Sequence, residues 1–316
     1  MNLLDVYKKM FLIRTAETEI ADLYLKKKIM SFVHFYVGQE AVAVGVCEAL
    51  NKDDRVMGNH RSHGHYLAKG GDLKRMVAEL LGRSTGGARG KGGSMHAIDR
   101  SAGFMGSTPI LGSVVPLATG SAFEQKFRSK KSITVAFYGD GASEEGQVYE
   151  SYNLAGLFNL PVLYVIENNL YADSTRLSER RGEKYSTEKI VEGFGLTYAK
   201  ADGNDFHDVY EKAKDLIQKI RKESKPAVLE CIAYRHIAHS APIMDESLRV
   251  EDTPDVRKEK DSLLKLRSKS LKSNISEKKI SGVEAEIKRK VSEAIEFEEK
   301  SPYPKKSELM EDVYAN

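Results

Sequence analysis

The residues whose types and spacing carry the most chemistry stand in two short stretches, "FYGDGASEEGQ" (137–147) and "ENN" (167–169). The first is a glycine-rich turn after an apolar run, a setting in which backbone amides at a helix start receive phosphate. Its glycines, Gly139, Gly141 and Gly146, miss the G-x-G-x-x-G spacing of a dinucleotide fingerprint, and Asp140 sets a carboxylate where a diphosphate would lie. A divalent cation removes the conflict, because magnesium takes carboxylate, amide and phosphate oxygens in one octahedral shell. Asp140 would hold the ion, and the ion would bridge to a diphosphate seated where a helix begins near Ala142. "ENN" ends the next apolar run, one strand–helix–strand unit downstream, and parallel sheets gather ligands at the carboxyl ends of their strands. It would supply a second metal ligand. Singly, a G-D-G turn and an Asx-rich strand end are ordinary loop chemistry; paired at this spacing they describe one site.

Histidines are the other chemical resource. "NHRSHGH" places His60, His63 and His65 close together, which raises a zinc cluster as a rival reading. No cysteine stands nearby, and Arg61 among the ligands would repel the ion, so the rival is set aside. "TGGARGKGGS" resembles a P-loop only superficially: no glycine precedes Gly90 by five positions, and Lys91 is followed by Gly92. It reads as a flexible active-site or interface loop.

These residues must be positioned by a sizeable core, and a chain of 316 residues with 41% hydrophobic and 30% charged content can build one. A formal charge of +3 does not imply a nucleic-acid partner, though it leaves anionic ligands open. The start, "MNLLDVYKKMFLIRTAETEI", is neither a signal peptide nor a membrane span. Cys47 and Cys231 read as buried thiols of a reducing compartment, so the expected location is cytoplasmic.

Residues 3–29 show helical spacing at Leu3, Val6, Met10, Leu12, Ile13 and Ile20, and a second helix is expected over 38–50. From 82 to 116 glycine, serine and small residues replace periodicity, as in a functional loop. Strands are expected over 132–140, 161–169, 195–203 and 226–235, alternating with helices over 144–158 and 205–222. That rhythm predicts an α/β fold with a mostly parallel sheet and helices on both faces. Beyond 249 the chain turns Lys/Glu-rich, and Val283, Ile287, Val291, Ala294 and Phe297 predict a terminal helix packed on the body. The whole, 1–316, is read as one domain: N-terminal helices 3–80, glycine-rich loops 82–116, an α/β core 117–248 and a C-terminal helical segment 249–316.

The pairing of GDG with NN is similar to the thiamine-diphosphate motif, and the wider chain resembles one family. "HFYVGQEA", "HRSHGH", "GKGGSMH", "VPLATG", "YGDGA", "NLPVLYVIENN", "YRHIAHS" and the closing "SPYPKKSELMEDVYA" resemble the alpha subunit of the decarboxylating first component of 2-oxo acid dehydrogenase complexes, in its pyruvate and acetoin branch. The resemblance implies the thiamine-diphosphate-binding fold with helical extensions at both ends. It implies Mg2+ ligands at Asp140, Asn169 and the carbonyl of Tyr171, and diphosphate contacts from Gly141, Ala142 and Arg61. His60 would also bind cofactor, the backbones of Pro109 and Leu111 would hold the aminopyrimidine ring, and His34 and His239 would line the reaction centre as catalytic groups.

The same resemblance implies a beta subunit that supplies the pyrimidine-binding domain and an activating glutamate, in a heterotetramer. It implies a 2-oxo acid or acetoin as substrate and acyl transfer to a lipoyl-bearing acyltransferase, with no nucleic acid and no membrane. Three departures stand out. Asp173 occupies a position where that family carries Met or Ile near the cofactor, Pro109 replaces a small residue, and "HSAPIMDES" lacks the S-x-S-D-P pattern of a kinase-regulated loop. Two alternatives stay open at this level: a thiamine-dependent carbon–carbon lyase or ligase outside a dehydrogenase complex, and a non-catalytic assembly subunit.

Overall fold

In the computed structural model the described residues are 2–240 and 253–311. Most of "HSAPIMDES" and the last residues of "SPYPKKSELMEDVYA" lie outside them.

The strands are β1 (Arg55–Gly58), β2 (Phe104–Ser107), β3 (Thr134–Gly139), β4 (Val162–Asn168), β5 (Tyr171–Ala172), β6 (Thr175–Arg176), β7 (Thr197–Asp202) and β8 (Ala227–Ile232). Six of them form one parallel sheet in the order β2-β1-β3-β4-β8-β7, while β5 and β6 make a small antiparallel hairpin. The helices α1 (Leu3–Leu25), α2 (Glu40–Glu48), α3 (His63–Ala68) and α4 (Leu73–Leu80) precede β2. The middle of the chain holds α5 (Val114–Phe127), α6 (Gly146–Phe158), α7 (Leu177–Arg180), α8 (Thr187–Gly193) and α9 (Phe206–Glu223). After β8 come α10 (Pro254–Lys260), α11 (Ser262–Lys272) and α12 (Glu277–Glu299).

The central strands are apolar on both faces because both are covered. Val135, Phe137, Leu163 and Val165 point into a core shared with α1, α2, α9 and α12. Their alternates Ala136, Tyr138, Tyr164 and Ile166 point the other way, against α5, α6 and α8. The expected layering is therefore present, and Cys47 and Cys231 are buried free thiols.

Local chemistry sets the element ends. Asn2 caps α1 by accepting the Leu4 amide at 3.1 Å, and Lys27 at φ +55° turns the chain out of the helix before residue 29. Asp205 caps α9 in the same way through the His207 amide at 2.8 Å. In α12, Ile287, Val291 and Ala294 are buried as expected, but Phe297 is 56% exposed. Its ring lies beneath the Lys74 ammonium, 4.5 Å from the centroid, so a cation–π contact replaces core packing there. The sheet also takes in β1 and β2, from segments whose sequences read as helical and as glycine-rich loop. No helix among the described residues is long and apolar enough to cross a membrane.

Candidate active site

The carboxyl ends of β1, β3 and β4 open into a cleft of about 250 Å³. It is lined by His60, Arg61, Leu111, Asp140, Gly141, Ala142, Asn169, Tyr171 and His239, nine of the residues expected from sequence. His34 stands one layer back, edge-on to His60 and His239 with centroids 4.4 and 4.9 Å away. Pro109 is flanked by the lining residues Thr108 and Ile110 without lining the cleft itself. A larger cavity of about 860 Å³ lies beyond Tyr171, against Tyr185, Tyr198 and Glu230, and shares only Tyr171 with the expected set.

Asp140 follows β3 and is 1% exposed. Burial pushes its carboxyl above the usual range, and Arg180, which pairs with Oδ2, pulls it back. A buried carboxylate of this kind gains from a cation. Its own carbonyl accepts Ser143 Oγ at 2.6 Å and Arg181 at 2.9 Å, which fixes the turn. Gly141 is required here: a Cβ on it would stand 2.7 Å from the Ala172 Cβ. That close approach lays the β5–β6 hairpin against the turn and brings Tyr171 to the same cleft as Asp140. Asn169 is held between layers, its Oδ1 accepting the Tyr171 amide at 3.2 Å and its Nδ2 donating to Gln39 at 3.1 Å.

Arg61 is 4% exposed and donates to the carbonyls of Phe35 at 2.6 Å and His239 at 3.0 Å. Burial and the neighbouring Arg235 bring its guanidinium down to about 9, still charged at neutral pH. Arg235 was not singled out from sequence. It is 1% exposed, lines the cleft and donates to the Asp173 carbonyl at 3.2 Å. Glu167, the first residue of "ENN", was also missed. Its buried carboxylate accepts from Tyr36 Oη and from Asn59 at 3.3 Å, and lies 2.9 Å from His65 Nε2. Asn59 in turn accepts the Arg61 amide at 2.8 Å, so Glu167 sets the segment that carries His60 and Arg61.

The histidines divide into two kinds. His65 pairs with Glu167, and His63 pairs with Glu17 at 2.7 Å, with Ser94 Oγ 2.9 Å from its other nitrogen. A serine–histidine–glutamate series has the order of a nucleophile relay. Here all three side chains are buried and the adjoining cavity is about 10 Å³, which admits at most one water, so the relay positions rather than reacts. His34, His60 and His239 instead gather around one end of the cleft, His34 behind the other two, with one ring nitrogen of each within 4.8 Å of the others. Burial, then Arg61, lowers His34 to about 3 and His239 to about 4, and depresses His60 further, so all three are neutral bases at pH 7.

The glycine-rich stretch is not a phosphate loop and is more ordered than a flexible loop. Its amides at Ala88, Gly90, Gly92 and Gly93 all point at the carboxylate of Glu79, at 2.7, 3.0, 2.7 and 3.1 Å. The chain's own anion fills the nest.

The cleft fits a metal-bound diphosphate cofactor on its own chemistry. His34 Nδ1 and both ring nitrogens of His60 are buried without a hydrogen-bond partner, which is costly unless a ligand supplies one. Asp140, Asn169 and Tyr171, which carry carboxylate, amide and carbonyl oxygens, line the cleft together with the buried Arg61 and Arg235. The Leu111 carbonyl already accepts Gln147 at 3.3 Å, and Asp173, at φ +53° on the hairpin tip, sets its carboxylate 4.0 Å from His239 Nδ1.

Known proteins bear on this geometry. The sequence profile of the family described as "Dehydrogenase E1 component" matches residues 8–307. The alpha subunit of acetoin:2,6-dichlorophenolindophenol oxidoreductase from Bacillus subtilis (strain 168) is 37% identical over 311 residues, covering 98% of this chain and 93% of that protein. The pyruvate dehydrogenase E1 component subunit alpha of Rickettsia bellii (strain RML369-C) is 38% identical over 311 residues, covering 98% and 94%.

Proposed function

Because this chain belongs to the dehydrogenase E1 component family, we propose that it is the alpha subunit of a pyruvate- or acetoin-type dehydrogenase that binds magnesium and thiamine diphosphate in this cleft. The observation that carries the reading is the convergence of Asp140, Asn169 and Tyr171 on one cleft with Arg61 and Arg235. Side-chain oxygens of Asp140 and Asn169 and the Tyr171 carbonyl would hold Mg2+. The Gly141 and Ala142 amides and the two arginines would hold the diphosphate. When bound, the cofactor supplies the carbon nucleophile and the electron sink for cleaving the bond beside a substrate carbonyl.

His239, neutral at working pH, would accept or return a proton at the substrate oxygen, and His34 and His60, whose rings pack on it and on each other, would wall the same end. Pro109 and Leu111 stand on the segment that would support the pyrimidine side. The chain is incomplete alone on this reading: a beta subunit in the cytoplasm provides the pyrimidine half and the activating glutamate, within a heterotetramer. Ile110 and Leu111, 67% and 44% exposed at the cleft, suit such a cover. The acyl group then passes to a lipoyl-bearing acyltransferase.

Co-expression with the beta partner should give thiamine-diphosphate-dependent reduction of an artificial electron acceptor with pyruvate, acetoin or a branched 2-oxo acid. No turnover across that panel overturns the dehydrogenase reading. Asp173 beside His239 favours one second reading, a carbon–carbon lyase or ligase, because a carboxylate there changes the charge the substrate meets. Its signature is carbon–carbon bond products with no acyl transfer to lipoamide.

A further inference from the structure

We infer that Arg180 is a positioning residue for the metal site: it grips one oxygen of the Asp140 carboxylate from outside the cleft and thereby presents the other to the ion. The inference rests on the reading of Asp140 as a metal ligand. Asp140 lines the cleft, whereas Arg180 does not. The guanidinium reaches Oδ2 from the α7 side and bridges it to Glu144 Oε1, and the arginine side chain is only 12% exposed. Oδ1 takes no hydrogen bond from another of the described residues, so it is the oxygen available to a cation.

The grip is itself held. Arg181, the next residue, donates to the Asp140 carbonyl at 2.9 Å, to Ser143 Oγ at 2.8 Å and to Glu144 at 2.8 Å. Tyr185 lies under its guanidinium, 4.2 Å from centroid to carbon. The two arginines thus staple α7 across the G-D-G turn, tying the backbone of Asp140 through one and its side chain through the other. Neither was visible from sequence, since about forty residues separate each arginine from the turn.

Hydrogen bonds to a metal-ligating carboxylate fix its rotamer and raise its affinity, and their loss typically costs 10–100-fold in metal binding. A guanidinium that merely substituted for the ion would act with the opposite sign, because its removal would free the carboxylate. A purely structural staple would lower stability and leave metal affinity alone. The sign of one measured change therefore separates the three.

The experiment titrates Mn2+ alone into the complex of this chain with its co-expressed beta partner, followed by its paramagnetic resonance signal, and Mg2+ with thiamine diphosphate by calorimetry. Arg180→Gln should raise the Mn2+ Kd at least tenfold, with thermal stability reported beside it. Arg180→Lys should recover part of the loss, because an ammonium keeps one contact but cannot bridge two carboxylates. Glu144→Gln, which leaves both arginines in place, should give a smaller rise of the same sign and serves if Arg180→Gln does not fold. A Kd that tightens in these variants, or stays within twofold, overturns the inference. Asp140→Asn is the control on the reading beneath it. Wild-type metal affinity in that variant, or no metal uptake by the unaltered complex, removes the metal site itself; loss in Asp140→Asn without loss in Arg180→Gln removes only the role of Arg180.

Discussion

His34, His60 and His239 face Arg61 and Arg235, while the carboxylate of Glu167 is committed to His65 and Tyr36 and that of Asp173 stands 4.0 Å from His239. Burial first, and those guanidinium charges second, depress all three imidazoles from 6.5, to about 3 for His34 and about 4 for His239. Between those values and 6.5 the unfolded chain binds more protons than the folded one, so stability rises with pH across that window and levels off above it. The urea midpoint should accordingly fall on going from pH 7.5 to pH 5, and His60→Asn should flatten part of that fall. A midpoint that holds or rises on acidification would contradict the assignment of neutral histidines. At this scale the meeting of Asp140 and Asn169 at one cleft was legible because a turn and a strand end carry their own local geometry, whereas Arg61 entered only through the resemblance. Arg235, Glu167 and the Glu17–His63–Ser94 series were not, since their partners come from elements far apart in the chain and leave no periodic trace.

The segment after α4 shows how one side chain can organise an element without regular structure. Glu79 is 4% exposed, and its two oxygens take four amides of the glycine-rich loop. Gly86 must be glycine, because a Cβ there would stand 2.3 Å from the carboxylate. Charge-assisted bonds of this kind contribute about 1.5–3 kcal/mol each, and they are not additive. Glu79→Gln should therefore destabilise the chain by about 2–4 kcal/mol and speed hydrogen exchange at Ala88, Gly90, Gly92 and Gly93 before elsewhere. Unchanged protection there would mean that the loop is ordered by other contacts. The composition of this loop was legible but its order was not, because glycine content reports freedom and not the buried anion that removes it. The long apolar strands β3 and β4 declared themselves by length and enrichment. β1 and β2, four residues each, are too short for a pattern and owe their place to the pairing of β1 with β3 and of β2 with β1.

At the scale of the molecule, the outer side of the sheet layer made by α5 and α6 is unusually apolar. Leu117, Phe127, Leu154 and Leu157 are 57%, 83%, 45% and 68% exposed, and Phe123 and Phe158 stack edge-to-face beside them. Large exposed apolar patches on soluble chains mark contact surfaces. In chain order α5 is preceded by Ile110 and Leu111, exposed where they line the cleft, the edge that the proposed beta subunit would reach. Covering a large apolar side chain contributes about 1.5–3 kcal/mol, so placing a charge at two of these positions should weaken assembly by tenfold or more. The same changes should leave the isolated chain's stability within about 0.5 kcal/mol, since these side chains pack on little of it. Phe127→Glu with Leu157→Glu, co-expressed with the tagged beta partner, is thus expected to abolish co-purification while the chain melts as the unaltered one does. Full co-purification would place the partner on another face, and a collapsed melting temperature would show that the patch serves this chain's own core.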